Sequence, residues 1–491
     1  MTTKTPPRLL LTDSYKATHS LMYPPCREMH AYLTCRGHLP GTTDQRIVVA
    51  GTRYLQELLN ERITMNDIHA ADEYFNHHGV AGSSYPWPRD LWVDVVKNNG
   101  GRLPFYVTAM REGSVIYPQV PVLTITASDQ YARLVTWMET ILMHIWSPIT
   151  TATKSAHAKS HLSELFKRTV DDDMQFLLNS RLHDFGFRGA SSIETAMTTG
   201  YGHLLSFDGT DTLAAGWLAS QYNGGPVGES VIASEHSVMT SWPSEIEAVR
   251  HLISITPNGG ILSCVADTYD YNNFLYNILP QIAPLAKAKG ILFVVRPDSG
   301  NPWECVQQGL IACRKAFGSS VNKKGYEVLN GAAVIQGDGI ELEQLIQISN
   351  RVADFGFSAQ CVAYGMGGGL LQKQNRDTLK VAMKLSQITD MNGTVRDVFK
   401  HPSTDRSKWS LPGKFNVTYM DSDRGPIVYP EESPFSSGTV MEPLYDGSGY
   451  TTITPSSFYT ARLRLQRQWE LTFPQKQVLH PSMIEKQLRL L

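Results

Sequence analysis

Three consecutive glycines, Gly367, Gly368 and Gly369, follow the apolar run CVAY and open the helix-like stretch LLQKQNRD. Residues without a Cβ let backbone N–H groups approach an anion closely, and a helix N-terminus adds partial positive charge there. Phosphate binding is the chemistry this pattern suggests, with a tight turn as the alternative. Lys373, Arg376 and Lys384 could neutralise the anion further. Position 370 is Leu, so the GxGxxG dinucleotide fingerprint is absent. In RPDSGNP (296–302), Arg296 is a planar bidentate donor and Asp298 an acceptor for sugar hydroxyls, unless Asp298 caps the next helix. In QGDG (336–339), Asp338 stands between Gly337 and Gly339, where backbone and carboxylate could both meet a ribose. ASEHS (233–237) brings Glu235 beside His236. A lone histidine is more often structural, but a neighbouring carboxylate could orient this one as a general base or as a nucleophile toward phosphorus. HDFGFRG (183–189) offers Phe185, which could stack on a flat ring or fill the core. FDGTD (207–211) offers Asp211, which could accept from an amide. The tripeptide DFG occurs at 184–186 and 354–356, yet no HRD or VAIK accompanies it, so kinase-type phosphotransfer is excluded.

These clusters, with ADTYD (266–270), each end an apolar, strand-like run, and helix-like segments separate them. Chemistry gathered where strands end and loops begin is the layout of a (β/α) barrel. Eight strands are expected, near 181–184, 204–207, 230–234, 261–266, 291–296, 333–336, 360–364 and 380–385. Local signals support the helices between them. Ser191 with Glu194 reads as a capping box, Gly224 and Gly225 as a helix stop, and Pro302 as a helix start. Upstream, PFYVTAM (104–110) and VPVLTITAS (120–128) predict a hairpin or meander near the turn REGS. Ser128 then predicts the cap of a helix that Pro148 stops, and a second helix follows up to Asp171–Asp173. After about 386 the pattern loosens, with loops and short strands expected over 401–414 and 423–457 and a helix over FYTARLRLQRQWE. The expected organisation is α/β, with an irregular (β/α) barrel over 151–385 inserted in a mixed α/β domain built from 1–150 and 386–491.

The 491 residues carry a formal net charge of −2, which gives no basic surface for nucleic acid. The densest positive stretch, RLRLQRQ (462–468), reads as a solvated helix face. Six cysteines without a CxxC pair fit buried free thiols in a reducing cytosol. The N-terminus has too short an apolar stretch for a secretory signal, and no run approaches the ~18 to 20 apolar residues a membrane span needs. A cytoplasmic protein with no membrane or nucleic-acid partner is expected.

Taken in order, TDSYKATH (12–19), YPP (23–25), HDFGFRG, RPDSGNP, VIQGDG (334–339), GGGLLQK (367–373) and VFK (398–400) resemble the nicotinamide phosphoribosyltransferases. The resemblance covers most of the chain and fades beyond about 415. It implies a type II phosphoribosyltransferase-like fold and a homodimer with active sites at the interface. The implied reaction takes nicotinamide and phosphoribosyl pyrophosphate to nicotinamide mononucleotide and pyrophosphate, in NAD salvage. ATP would be a co-substrate that stimulates the reaction through a phosphohistidine, and Mg2+ would accompany the pyrophosphate with no protein ligand assigned. By motif, Phe185 and the partner subunit's Tyr15 would sandwich the pyridine ring and Asp211 would accept from the carboxamide. Arg296 would line the base pocket, and Arg188 would be one of the substrate-binding residues. Asp298, Gly337, Asp338 and Gly367 to Gly369 would hold ribose and 5′-phosphate. Arg36, Arg376, Lys384 and Lys400 would surround pyrophosphate and ATP phosphates. His236 would be the phosphorylated histidine, oriented by Asp267, with Glu235 and Asp298 completing the catalytic group. Phe187 replaces the Tyr of HDFGYRG and Met366 the Ser of FGSGGG, each removing a hydroxyl and bearing on affinity and on coupling to ATP. Two alternatives stand beside this reading. Nicotinate phosphoribosyltransferase is disfavoured by the anionic Asp211, which welcomes an amide and repels a carboxylate. A non-catalytic binding protein on the same fold is the other.

Overall fold

A computed structural model describes residues 6–419, 425–436, 438–447 and 456–491. The chain forms two compact units, Lys154–Gln374 and Met1–Thr153 with Asn375–Leu491.

The unit Lys154–Gln374 is built on six parallel strands: β1 (Leu182–Asp184), β2 (Ile232–Ala233), β3 (Ile261–Val265), β4 (Leu292–Arg296), β5 (Ala332–Gln336) and β6 (Val362–Met366). Their spatial order is β1-β6-β5-β4-β3-β2, with every pairing parallel. Single parallel bridges, Asp184 to Thr210 and Gly209 to Glu229, carry the ladder on from β1 toward the segment that leads into β2. The barrel is therefore irregular, closed on that side by bridges alone. Runs such as LFVV and AAVI, which lead to the polar strand ends Arg296 and Gln336, are continuously apolar because both faces are covered. Successive side chains point to opposite faces, so Val294, Ala333, Ile335 and Ala363 form one small cluster. Phe293, Val295, Val334 and Val362 instead join the large core beneath the helices Glu245–Ile255, Leu279–Ala288, Pro302–Phe317 and Leu342–Asp354.

Two of the eight expected strands are corrected. The run near 204–207 is the end of the helix Ile193–Leu204 and a turn in which Phe207 N–H donates to His203 O at 3.2 Å. Its apolar residues are buried as a helix end rather than as a strand. The run at 380–385 is a strand, but it lies in the other unit and pairs antiparallel. The cap of Ile193–Leu204 is Ser192, one residue later than expected, accepting from Thr195 N–H at 3.0 Å. Gly224 ends the helix Leu213–Asn223 at φ 70° as expected. Pro302 opens Pro302–Phe317, whose cap is Asn301, accepting from Trp303 and Glu304 N–H at 3.1 and 3.2 Å. Asp298 is thus not consumed as a helix cap.

The other unit holds a six-stranded antiparallel sheet in the order Val395–Asp397, Val381–Asp390, Cys26–Cys35, Pro121–Ser128, Phe105–Ala109 and Glu442–Tyr445. The expected antiparallel pair is present, running from Phe105 opposite Ala127 to Ala109 opposite Leu123. Pairing of Cys26–Cys35 with Val381–Asp390 draws both ends of the chain into one sheet and sets Tyr32 opposite Lys384. Pro148 does not stop a helix. It sits in the first turn of Trp146–Thr169, where a missing N–H costs nothing, and the residues before it form only the short pieces Asp129–Leu134 and Glu139–Met143. Ser128 makes no side-chain cap bond. The C-terminal helix is present as Phe458–Leu471, but its basic face is not wholly solvated: Arg464 donates to Glu112 O and, at 2.9 Å, to Ser456 Oγ. The span 423–457 lies partly outside the described residues; within it, Pro426–Pro430 and Glu442–Tyr445 are strands. Among the described residues no helix is long and apolar enough to cross a membrane.

Candidate active site

Because the six strands are parallel, their C-terminal ends deliver Phe185, Glu235 and His236, Asp267, Arg296 and Asp298, Gly337 and Asp338, and the three glycines to one end of the sheet. Asp267 follows β3 and is buried, its side chain 5% exposed. Its Oδ2 accepts from Asp298 N–H at 2.9 Å and from the Ser299 hydroxyl, which pins the RPDS turn that follows β4. Its Oδ1 has no hydrogen-bond partner and lies 4.0 Å from His236 Nε2. Asp298 Oδ2 is nearer that nitrogen, at 3.4 Å, while Nδ1 meets Thr268 Oγ1 at 3.2 Å. The orienting carboxylates are therefore Asp298 and Asp267. Glu235, the neighbour in sequence, stands at the N-terminus of the short helix His236–Thr240 and turns its carboxylate to the Ser237 hydroxyl instead.

Phe185 leaves β1 half-buried over the small cluster of Val294, Ala333, Ile335 and Ala363. The ring lies against two glycines that motif reading did not single out for this purpose. A Cβ on Gly365 of β6 would fall 1.9 Å from Phe185 Cε2, and one on Gly337 would fall 3.1 Å from it. Gly365 was missed because a lone glycine inside a strand announces only a close approach, not what approaches. Asp211 is fixed by its own N–H, which donates to Asp184 O at 2.9 Å. Its Oδ1 accepts from Ser230 Oγ–H at 2.6 Å, leaving the second oxygen for another donor. Beneath it Asp184 is fully buried and accepts from Gly186 N–H at 2.7 Å; burial pushes its carboxyl up to about 6, with the nearby Asp211 adding to the rise. Arg296 ends β4 with its Nε buried and without an acceptor, and Gln336 ends β5 with Oε1 buried and without a donor. Buried polar groups are normally paired, so orphaned ones at the mouth of a barrel are groups poised for a ligand. Gln336 Nε2 also donates to Asp338 O at 3.1 Å, which shapes the loop carrying the exposed Asp338.

After β6 the three glycines enter the short helix Gly368–Leu371. Gly369 is required by space: a Cβ would lie 2.4 Å from Ile340 O. Lys373, expected to face the anion, pairs with Glu341. Arg188 lies exposed in the turn Phe187–Gly189.

The remaining sequence-predicted residues belong to the other unit. Burial lowers the Lys384 amine, and Arg36, Lys400 and Lys16 lower it further against the opposing influence of Glu139. These four cations thus form one cluster, in which Lys16, absent from the sequence-predicted set, is paired with Glu139. Arg376 is exposed and 3.0 Å from Asp377. Tyr15, on the helix Ser14–Met22, is 53% exposed.

Residues 8–107 match the N-terminal domain of nicotinamide phosphoribosyltransferase, and residues 180–423 match the nicotinate phosphoribosyltransferase (NAPRTase) family. A nicotinamide phosphoribosyltransferase of Xanthomonas campestris pv. campestris (strain 8004) is 40% identical over 416 residues, covering 83% of this chain and 87% of its own. The chain belongs to the nicotinamide phosphoribosyltransferase family. A nicotinamide phosphoribosyltransferase of Mycoplasma pneumoniae is 30% identical over 453 residues, covering 83% of this chain and 95% of its own. Solved structures share the fold. Human nicotinic acid phosphoribosyltransferase has a TM-score of 0.59 at 19% identity, covering 98% of this chain and all of its own. Nicotinate-nucleotide pyrophosphorylase from Pyrococcus furiosus has 0.59 at 16%, covering 94% of both chains. Of the two departures from the nicotinamide phosphoribosyltransferase motifs, Met366 is 1% exposed and packs into the large core, so its side chain is a core element; Phe187 is 36% exposed in the turn after Phe185.

Proposed function

We propose that the protein transfers phosphoribosyl from phosphoribosyl pyrophosphate to nicotinamide, giving nicotinamide mononucleotide and pyrophosphate. The observation that carries this is the grouping, at one end of the parallel sheet, of an aromatic face on two glycines, an amide-reading carboxylate, an arginine with a buried, unpartnered Nε, and a glycine turn. Phe185 stacks on the pyridine ring, Asp211 accepts from the carboxamide NH2, and Arg296 donates to its carbonyl. Asp298 and Asp338 take the ribose hydroxyls and Gly367 to Gly369 the 5′-phosphate. The ring nitrogen bonds to C1 of the ribose as the C1–oxygen bond breaks and pyrophosphate leaves with the electron pair. Much of the acceleration comes from holding the two reactants in line. The leaving pyrophosphate and the ATP phosphates are assigned to Arg36, Lys384 and Lys400, whose cationic cluster suits that charge, and to the exposed Arg376.

Magnesium enters with the pyrophosphate in this reading, since the ion is commonly held by one or two carboxylates plus substrate phosphates. Among the described residues no group of three or more His, Cys, Asp or Glu is arranged to hold a metal. Asp267, with its buried and unpartnered Oδ1, and Asp298 are the carboxylates that would hold the ion, which would neutralise leaving-group charge. ATP is proposed as a co-substrate that phosphorylates His236, because Nδ1 is tied to Thr268 and Nε2 is presented to Asp298 and Asp267. A homodimer is proposed in which the exposed Tyr15 of one copy covers the pyridine in the other. A cytoplasmic setting accords with six free, buried thiols.

The test is product formation from phosphoribosyl pyrophosphate with nicotinamide or nicotinate, each with and without Mg-ATP. Nicotinamide mononucleotide, made faster with ATP, is expected, and His236→Ala should abolish the stimulation while leaving slow transfer. Product from nicotinate alone overturns the reading of the substrate, and full ATP stimulation in His236→Ala overturns that of the histidine.

The match of residues 180–423 to the nicotinate family makes nicotinate transfer the second reading. Asp211 decides between them, because an anion beside the carboxamide repels a carboxylate. Asp211→Ser should lower the nicotinamide-to-nicotinate ratio of kcat/KM about 30-fold, for a loss of ~2 kcal/mol in discrimination. An unchanged ratio removes Asp211 from that role.

A further inference from the structure

Lys154 lies in the helix Trp146–Thr169, in the stretch TTATKSAH, which no motif above includes. Its ammonium donates to Gly369 O at 2.9 Å and to Lys373 O at 3.3 Å. Both carbonyls belong to the turn proposed to bind the 5′-phosphate. That turn satisfies itself only in part: Leu370 N–H donates to Gly367 O at 3.0 Å, and Gln372 and Lys373 N–H donate to Gly368 O at 2.9 and 2.7 Å. The carbonyls further along fall beyond this short ladder, and Lys154 meets them. Carbonyls at one end of a helical turn point away from the N–H groups at the other, so a cation fixed on the carbonyl side fixes where the N–H side points.

We propose that Lys154 is a positioning residue for the phosphate turn, clamping the carbonyls of Gly369 and Lys373 so that the N–H groups of the glycines are held toward the 5′-phosphate of phosphoribosyl pyrophosphate. The clamp is costly to keep. Burial pushes the amine down to about 8, and Glu341, the carboxylate that opposes this, is itself paired with Lys373. Glu341, just before the helix Leu342–Asp354, is the charged group acting on Lys154, and the Lys373 ammonium that pairs with it is exposed. A lysine poised there is charged below about pH 8 and loses its charge above it. A bound phosphate favours the charged form, so by linkage phosphate affinity falls as pH rises through that value.

The inference rests on the proposed reaction, and the test separates the two. Steady-state kinetics of wild type, Lys154→Met and Lys154→Arg are measured from pH 6.5 to 9.5, with thermal unfolding alongside. At pH 7.5 Lys154→Met should raise KM for phosphoribosyl pyrophosphate about tenfold, with kcat and KM for nicotinamide within about twofold of wild type. Lys154→Arg, which keeps its charge throughout, should recover most of that loss and flatten the rise in KM that wild type shows above pH 8. An unchanged KM for phosphoribosyl pyrophosphate in Lys154→Met overturns the inference, as does a Lys154→Arg profile that keeps the wild-type limb. Should Lys154→Met fail to fold, the Lys154→Arg profile decides. If wild type makes no product from any pyridine base, the proposed function fails instead. Titration calorimetry with ribose 5-phosphate then tests Lys154 alone, with equal affinity in wild type and Lys154→Met counting against it.

Discussion

Gly365→Ala should raise KM for nicotinamide about 30-fold while leaving KM for phosphoribosyl pyrophosphate within about threefold of wild type. A Cβ at this position would lie 1.9, 2.2 and 2.8 Å from Cε2, Cδ2 and Cζ of Phe185. Real Cβ atoms do not approach a ring so closely, so the ring must leave its place. It has little room to retreat: Val294, Ala333, Ile335 and Ala363 lie under it, and Gly337 borders it on β5, where a Cβ would already sit 3.1 Å from Cε2. The displaced ring therefore moves into the space proposed for the pyridine. Losing a stacked pair on each face of the base is worth ~2 kcal/mol, which is about 30-fold. Gly337→Ala supplies the graded control, since a contact of 3.1 Å is relieved by a few tenths of an ångström, and its effect should be several-fold smaller. Alanine is ordinarily the better strand residue, and the three nearest atoms its Cβ would meet all belong to the ring. Initial rates over a nicotinamide series, with thermal unfolding as the check on integrity, decide the matter. A wild-type KM in a folded Gly365→Ala removes Phe185 from the base site.

The same two glycines show where sequence reading ends. The strand runs ILSCV, LFVVR and AAVIQ are legible because continuous apolar, β-branched stretches with polar ends have few other uses. LLSF at 204–207 is also a short, mostly apolar run with a polar end but is a helix end, and a run that short carries no period to tell them apart. The strand at 381–390 was legible as a strand but not as a member of the right sheet. Its partner, Cys26–Cys35, lies some 350 residues earlier, and no local pattern encodes that pairing. The site divides in the same way. Residue types suited to phosphate, ribose and amide are visible wherever they cluster at strand ends. Partners supplied by other strands are not. His236 is served by Asp298 and Asp267, while Glu235 is turned away by the helix that begins between them. Lys154 was invisible for a related reason: a lysine among small residues in a helix looks like a surface position until the carbonyls it meets are known.

Replacing Arg296 by Met should lower kcat/KM for nicotinamide about 100-fold without lowering thermal stability. The two halves of that expectation come from one observation, the buried Nε with no acceptor. An unpaired buried donor carries a desolvation cost in the free protein, and a Met of similar length removes that cost. Tm should therefore stay level or rise, as it does where a site holds groups ready for a ligand at the expense of the fold. Activity should move the other way, because a preorganised donor that needs no reorganisation is worth ~3 kcal/mol, or about 100-fold. Arg296→Lys keeps the charge but not the planar fork, so it should recover only part of the loss. The position of the arginine, at the end of β4 and one turn before Asp298, leaves two recipients for its hydrogen bond, the carboxamide oxygen or a phosphate. The substrate whose KM changes tells which. A rise confined to nicotinamide places the guanidinium on the base, as proposed. A rise confined to phosphoribosyl pyrophosphate moves it to the phosphate. A fall in Tm with unchanged kinetics would mean that the arginine is structural and that its Nε finds a partner in the working enzyme.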